Sequence, residues 1–199
     1  MKGGRCAHGA PPAFRLSTLR AVKVTWQASA TYLKAMTRAA RALGHEARVL
    51  EKLTPETRAM VESPHSQAWW PGEVLSDFVG ALGLEAAREV SIRASRDSMG
   101  PLVKPLAAVL LAMAKSPPQA LLQRLNTFVS AGVKGIDAHF EPNAEKNGGV
   151  VAFTFPEPVI PEMASLFTGL FDVGFSLARG GRVVSQVSEG AVHRFVVAW

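Results

Sequence analysis

The chain has one cysteine, Cys6, in 199 residues, so no disulfide can close within it. A cystine framework, the usual staple of small secreted domains, is excluded, and a reducing compartment is the natural expectation. No segment reaches the roughly eighteen unbroken apolar residues that a membrane helix needs. The nearest, residues 106–113, is short and lies between Lys104 and Lys115. An apolar leader is missing too, because Pro11, Pro12 and Arg15 interrupt the stretch after Lys2 and Arg5. The expectation is a cytoplasmic protein with no membrane span. Charge is sparse at 19% against 48% hydrophobic residues, a composition that builds a sizeable core rather than a disordered chain.

Recognised chemistry is equally scarce. Catalysis needs a nucleophile with its base, a carboxylate pair or a metal cluster. The five histidines, His8, His45, His65, His139 and His193, share no helix at three- or four-residue spacing and form no metal-site pattern. His139 and His193 fall in strands, where a cross-strand polar pair is the expected arrangement. There is no G-x-S-x-G and no phosphate loop; Arg179-Gly180-Gly181-Arg182 follows a helix and reads as its cap and turn. No catalytic, cofactor-binding or metal-binding residue is assigned, and an enzyme is not expected.

The net charge of +6 is unevenly spread. Residues 1–58 carry eleven Lys/Arg against Glu46, Glu51 and Glu56, and the remainder of the chain is net acidic. Such asymmetry suits nucleic acid, an acidic partner or a membrane surface. It equally describes a solvated helix face beside a mobile terminus. No aromatic residues interleave with the basic ones, so nucleic acid is disfavoured.

Residues 1–15 read as a flexible basic arm and 16–199 as one α+β domain, helical over 16–132 and ββαββ over 133–199. A helix is expected over 22–43, with Tyr32, Met36, Ala39 and Leu43 on one face and Gly44 as its cap. Thr54-Pro55 opens a short helix. Pro71 opens another with Val74, Leu75, Phe78 and Leu82, and a further helix covers 84–99. Residues 101–115, apolar nearly all round, predict a central buried helix. Ser116-Pro117 starts a helix whose stripe of Leu121, Leu122, Leu125, Phe128 and Val129 runs to Gly132. The period then changes to two over 136–141, with Asn147-Gly148-Gly149 as a turn and 150–155 as the return strand. An amphipathic helix over 161–179 places Met163, Leu166, Phe167, Leu170 and Leu177 inward and Asp172 outward, with Gly169 and Gly174 permitting close approach to a sheet. Residues 182–188 and 191–199 close the chain as a second hairpin across Glu189-Gly190, giving a four-stranded antiparallel sheet.

The paired tryptophans Trp69 and Trp70, just before Pro71, support two readings. They staple the chain onto the core at the helix start, or they line one wall of an apolar pocket between the helices and the sheet. In the second reading the pocket candidates are Trp69, Trp70, Phe128 and Val129.

Trp69-Trp70-Pro71, Ser116-Pro117-Pro118 with Leu121 and Leu122, and the closing Phe195-Val196-Val197-Ala198-Trp199 resemble a family of similar length, without assigned function, that has many paralogues in myxobacteria. More remotely, the layout is similar to the haem-nitric-oxide-binding (H-NOX) domain and its vinyl-reductase-like ligand-binding relatives, which share helices followed by ββαββ. The run from Leu125 to Gly132 resembles the H-NOX helix whose histidine ligates haem iron, with Val129 at the histidine's place. Thr154-Phe155-Pro156-Glu157-Pro158 stands where that family has its Tyr-x-Ser-x-Arg haem-propionate signature, and keeps none of the three. The resemblance implies the fold and argues against haem. It points to a haem-free sensory or regulatory domain that takes a small apolar ligand or a protein partner. A closed interaction scaffold, an enzyme of unrecognised type and a homodimer stay open beside it.

Overall fold

The structure, a computed structural model, describes residues 26–63, 67–98 and 113–199. The basic arm expected at 1–15, the start of the helix expected from 22 and most of the apolar helix expected at 101–115 lie outside the described residues.

Trp26 leads into a short strand, β1 (Gln27–Ser29), where a helix was expected. Trp26 and Ala28 are buried and Gln27 is not, the alternation of a strand. Ser29 ends it by capping α1 (Ala30–Ala42): its Oγ accepts from the Tyr32 N–H at 3.1 Å. Leu33, Met36, Ala39 and Ala40 form the buried stripe of α1. A helix that the periodicity did not announce, α2 (Glu46–Lys52), comes next. The bidentate contact of Arg41 on Glu46 fixes the corner between them. Thr54 and Pro55 then start α3 (Pro55–Glu62) as their chemistry requires, the Thr54 hydroxyl accepting from the Thr57 N–H at 3.1 Å.

The paired tryptophans also form a strand rather than a helix entry, β2 (Trp69–Pro71). Pro71 is therefore the residue before α4 (Gly72–Leu82), one position earlier than the sequence suggested. Gly83, at φ +77°, turns the chain into α5 (Leu84–Ser98). The stripe read as one helix from 117 to 132 is two, α6 (Pro117–Leu122) and α7 (Leu125–Gly132). The break at Gln123 and Arg124 resets the helical phase. Leu125 and Val129, four apart, turn inward, and Phe128 is left 51% exposed. α7 runs directly into β3 (Val133–Lys134), which pairs with β1, so a three-stranded sheet of order β2-β1-β3 takes two of its strands, β1 and β2, from the part expected to be wholly helical and the third from the residues just after it.

The second sheet has the order β4-β5-β7-β6, every pair antiparallel, from β4 (Asp137–Pro142), β5 (Gly148–Thr154), β6 (Arg182–Glu189) and β7 (Val192–Ala198). Gly148 and Gly149 are ladder residues rather than the turn. A Cβ on them would stand 2.4 Å from the Val197 carbonyl oxygen and 2.2 Å from that of Glu141, so only glycine fits. The turn is made by 143–147, where Asn143 accepts from the Asn147 N–H and Lys146 takes φ 57°.

Between β5 and β6 runs α8 (Glu162–Leu177), and it packs on two sides rather than one. Toward the sheet, the Phe167 ring stacks on Phe153 with centroids 3.9 Å apart. Phe171 meets Phe153, Phe175 and Phe195 at 5.2–6.0 Å. Such ring pairs contribute about 0.5–1.5 kcal/mol each beyond the area they bury. Toward α5, Gly169 sits so close that a Cβ would lie 2.7 Å from the Arg88 carbonyl oxygen and 2.8 Å from Ser91 Cβ. Ser91 Oγ donates to the Leu166 carbonyl at 2.7 Å, and Arg88 pairs with Asp172 at 2.8 Å. Gly169 therefore serves a helix and not the sheet, and Gly174 likewise faces Leu121 of α6. Asp172 is engaged rather than free, and Phe171, not half-buried Leu170, is the buried ring at mid-helix. The C-terminal turn is closed by Arg179 at φ 55°, where Gly180 was expected in that role.

Two substitutions test this double-sided packing. Gly169→Ala should push α5 off α8 and destabilise the protein by about 1–3 kcal/mol, and Phe171→Ala should cost about 3–5 kcal/mol. Leu170→Ala should cost clearly less than Phe171→Ala. Denaturant melts of the three variants check the order.

Candidate functional site

The region where the helices meet the sheet collects most of the polar groups that the core encloses. The row Trp70–Ala28–Val133 crosses the small sheet with all three side chains buried. Trp69 and Lys134, in the alternate register, face the other way. There the Lys134 ammonium lies 3.8 Å from the centre of the Trp69 ring, a cation–π contact. Strand alternation thus separates the two tryptophans, and the helix turn separates Phe128 from Val129. The four pocket candidates divide into an inward pair, Trp70 and Val129, and an outward pair, Trp69 and Phe128.

The tryptophan over the start of α4 is Trp26, a residue that no sequence pattern singled out. Its carbonyl accepts from the Gly72 N–H at 3.0 Å, and a Cβ at Gly72 would lie 2.1 Å from its ring atoms. The same indole meets Phe155 edge-on at 5.1 Å. Trp26 thereby joins the entry of the helical part to the end of β5. Proximity to β1 is its only sequence signal, and three residues are too few to announce a strand.

A polar thread crosses the helical layer. The Tyr32 hydroxyl end is buried, which pushes its phenol up to about 12, while a hydrogen bond with Ser91 pulls the other way. Ser91 passes its own proton donation to Leu166 on α8. One turn further along α5, buried Ser95 has no hydrogen-bond partner for its Oγ.

His193 is the one titratable side chain among the buried polar residues described, and it is fully buried on β7. Its Nδ1 lies 2.7 Å from Ser188 Oγ on the neighbouring strand, and its Nε2 is buried with no partner. The ring stands edge-on to Phe155 at 5.7 Å. Burial drives the imidazole below the usual histidine range, because the charged form would lose its water. His139 does not meet it. His139 is opposite Ala152, one register position away and on the exposed face, so the cross-strand polar pair of His193 is with Ser188. His45 lies apart, 3.6 Å from Glu89. Among the described residues no group of three or more His, Cys, Asp or Glu is placed to hold a metal ion, and no helix is long and apolar enough to cross a membrane.

No protein-family model and no curated protein matches the chain. Solved structures do. An Fe(II) unliganded H-NOX protein from K. algicida superposes with a TM-score of 0.53 at 9% identity, covering 85% of this chain and 95% of that one. A structure bearing on the molecular mechanism of H-NOX activation gives 0.50 at 13% identity, with 85% and 95% covered. The fold is H-NOX-like. Within it, the buried position of α7 carries the hydrocarbon side chain of Val129. At 154–158, Thr154 is exposed, and Phe155 turns into the core against Trp26, Phe167 and His193.

The state of His193 has a measurable consequence. In the unfolded chain an imidazole takes up its proton near pH 6.5, whereas the fold refuses it until lower pH. The stabilisation from keeping it neutral is complete above that value and is lost as pH falls through the lowered folded value. Thermal melts between about pH 7 and 5 should show the wild type losing stability, and His193→Phe, which keeps an apolar ring in the same cluster, losing less.

Proposed function

We propose that this chain is a haem-free sensory or regulatory domain of H-NOX-like fold. In it a small apolar ligand or a protein partner biases the helical part against the sheet. The observation that carries the reading is the combination of that fold over 85% of the chain with Val129 buried on α7. A valine offers no lone pair to iron, and the 154–158 segment has no guanidinium to hold propionates, its one hydroxyl being that of exposed Thr154. Phe155 fills that place with an interior ring. The residues present do not fit haem.

Two features support a mechanism by population shift. The helical part meets the α8–sheet unit at discrete contacts that could rearrange together: α5 on α8 at Gly169, Ser91 and the Arg88–Asp172 pair, Trp26 on Phe155, and Asn126 on the Ala138 N–H. On the inward side, Trp70 and Val129 are apolar groups that an occupant between the parts would touch. The Ser188–His193 contact has its imidazole fully buried, away from any substrate in solution, and among the described residues no group of three or more His, Cys, Asp or Glu is placed to hold a metal ion. A cytoplasmic location fits the single cysteine.

Haemin titration tests the haem-free reading. The expected outcome is weak, unsaturable absorbance identical in the wild type and in His193→Ala. A sharp, saturable Soret band that disappears in His193→Ala would overturn it and make the buried imidazole the ligand. Native mass spectrometry of protein purified from its own host should show a small apolar adduct or a bound protein; a small adduct would separate this reading from a closed interaction scaffold, which would carry a protein alone.

A further inference from the structure

The two edges of the four-stranded sheet are built differently. The β4 edge carries Asp137, His139 and Glu141 and ends in Pro142, and the Ala138 N–H is already taken by Asn126 Oδ1 of α7 at 3.0 Å. Charges, a proline and an occupied donor are the devices by which natural edge strands avoid pairing. The β6 edge has almost none of them. Its eight residues, Arg-Val-Val-Ser-Gln-Val-Ser-Glu, are exposed nearly throughout and contain no proline. Among the described residues no backbone group outside the sheet bonds to it.

We propose that β6 pairs antiparallel with β6 of a second copy of this chain, joining two four-stranded sheets into one across a two-fold axis at Gln186. The register comes from the strand itself. β6 meets β7 with an irregularity between Val183 and Ser185, so that Val184 is an extra residue. On its outer face lie Arg182, Val184, Ser185, Val187 and Glu189, and on its inner face Val183, Gln186 and Ser188, as fixed by their partners on β7. A two-fold axis perpendicular to the sheet must pair outer with outer and inner with inner. With Gln186 opposite Gln186, Val187 meets Ser185 with Val184 beside it, Ser188 meets Val183, and Glu189 meets Arg182. The faces agree at every step, and the extra residue is accommodated against the partner's Val187 in the two-against-one manner that β6 already uses with β7.

Charge and apolar surface both favour a second copy over an unrelated strand. Each end of the joint sets Arg182 opposite Glu189, twice by symmetry, so that the glutamate, which already meets Arg194 of its own sheet at 3.2 Å, gains a second cation in place of the like-charge repulsion of a mismatched register. The outer face also exposes Val184 at 57%, Val187 at 52%, Val196 at 42% and Val150 at 37%. Val150 is opposite Val196, and Val196 is opposite Ser185. The valines therefore run as a band from β5 to the β6 edge, and across the axis they would continue into the same band of the partner. Neither Trp70 nor Val129 takes part, so this pairing is independent of any ligand between the helices and the sheet.

Sedimentation velocity of the full chain over a concentration series tests it. The wild type should show a concentration-dependent dimer. Val187→Lys should raise the dissociation constant by about ten-fold or more while leaving the melting temperature unchanged at dilutions where both proteins are monomeric, since the side chain is on the free edge. In a Cys6→Ser background, Gln186→Cys should oxidise to a disulfide-linked dimer, because residues opposite each other across antiparallel strands are within about 4.5–5.5 Å at Cα. Glu141→Cys on the β4 edge should not. A monomer at every concentration, a dimer untouched by Val187→Lys, or cross-linking at Glu141→Cys instead of Gln186→Cys would each overturn the proposal.

Discussion

The approach of α5 to α8 is the contact on which the rest of the architecture depends. It is set by the missing side chain of Gly169, which lets the Arg88 carbonyl and Ser91 come within a distance that any Cβ would forbid. At that range Ser91 can reach the Leu166 carbonyl inside α8's own ladder, and Tyr32 can reach Ser91 from α1. Three helices are thereby tied at one point by groups that would be costly to bury alone. The other side of α8 carries the phenylalanines that seat it on the sheet. One helix consequently belongs to both layers, and a displacement of either layer must pass through it.

That arrangement couples the two layers mechanically through a single helix. The H-NOX-like fold is retained where packing requires it, in the helix–helix seam and the sheet. Val129 is a buried hydrocarbon, and Phe155 joins Trp26 and Phe167 in the core. Among the buried polar side chains, His193 lies beside Ser188, and burial pulls its imidazole below the usual histidine range. It sits between the sheet and the Trp26 junction, where a change in its charge state would be felt by both parts.

Much of this was legible in the residues alone. Thr54-Pro55, the period-two runs of the C-terminal third and the amphipathic stretch before Arg179 announce their elements because capping and burial act locally on them. The small sheet was not legible. Its strands have three residues or fewer and are far apart in sequence, so no periodicity can develop within any of them. The stripe from Leu121 to Val129 misled for the opposite reason. Its spacing is continuous on paper, yet a break of two residues turns Phe128 outward. Of the pocket candidates, adjacency in sequence implied common placement, and alternation in β2 separates Trp69 from Trp70.

By itself the sequence determined what depends on composition and on neighbours along the chain: a core-forming domain without disulfides, and its main helices and hairpins. Tertiary structure alone decided which face of α8 meets which layer, because a helix apolar on most sides carries no mark of its partner. It also decided that Gly169 serves α5, that Trp26 closes over Gly72, and that His193 meets Ser188 rather than His139. Each is a contact between residues distant in sequence or on separate strands, and such contacts are set by how the layers come together rather than by any local pattern.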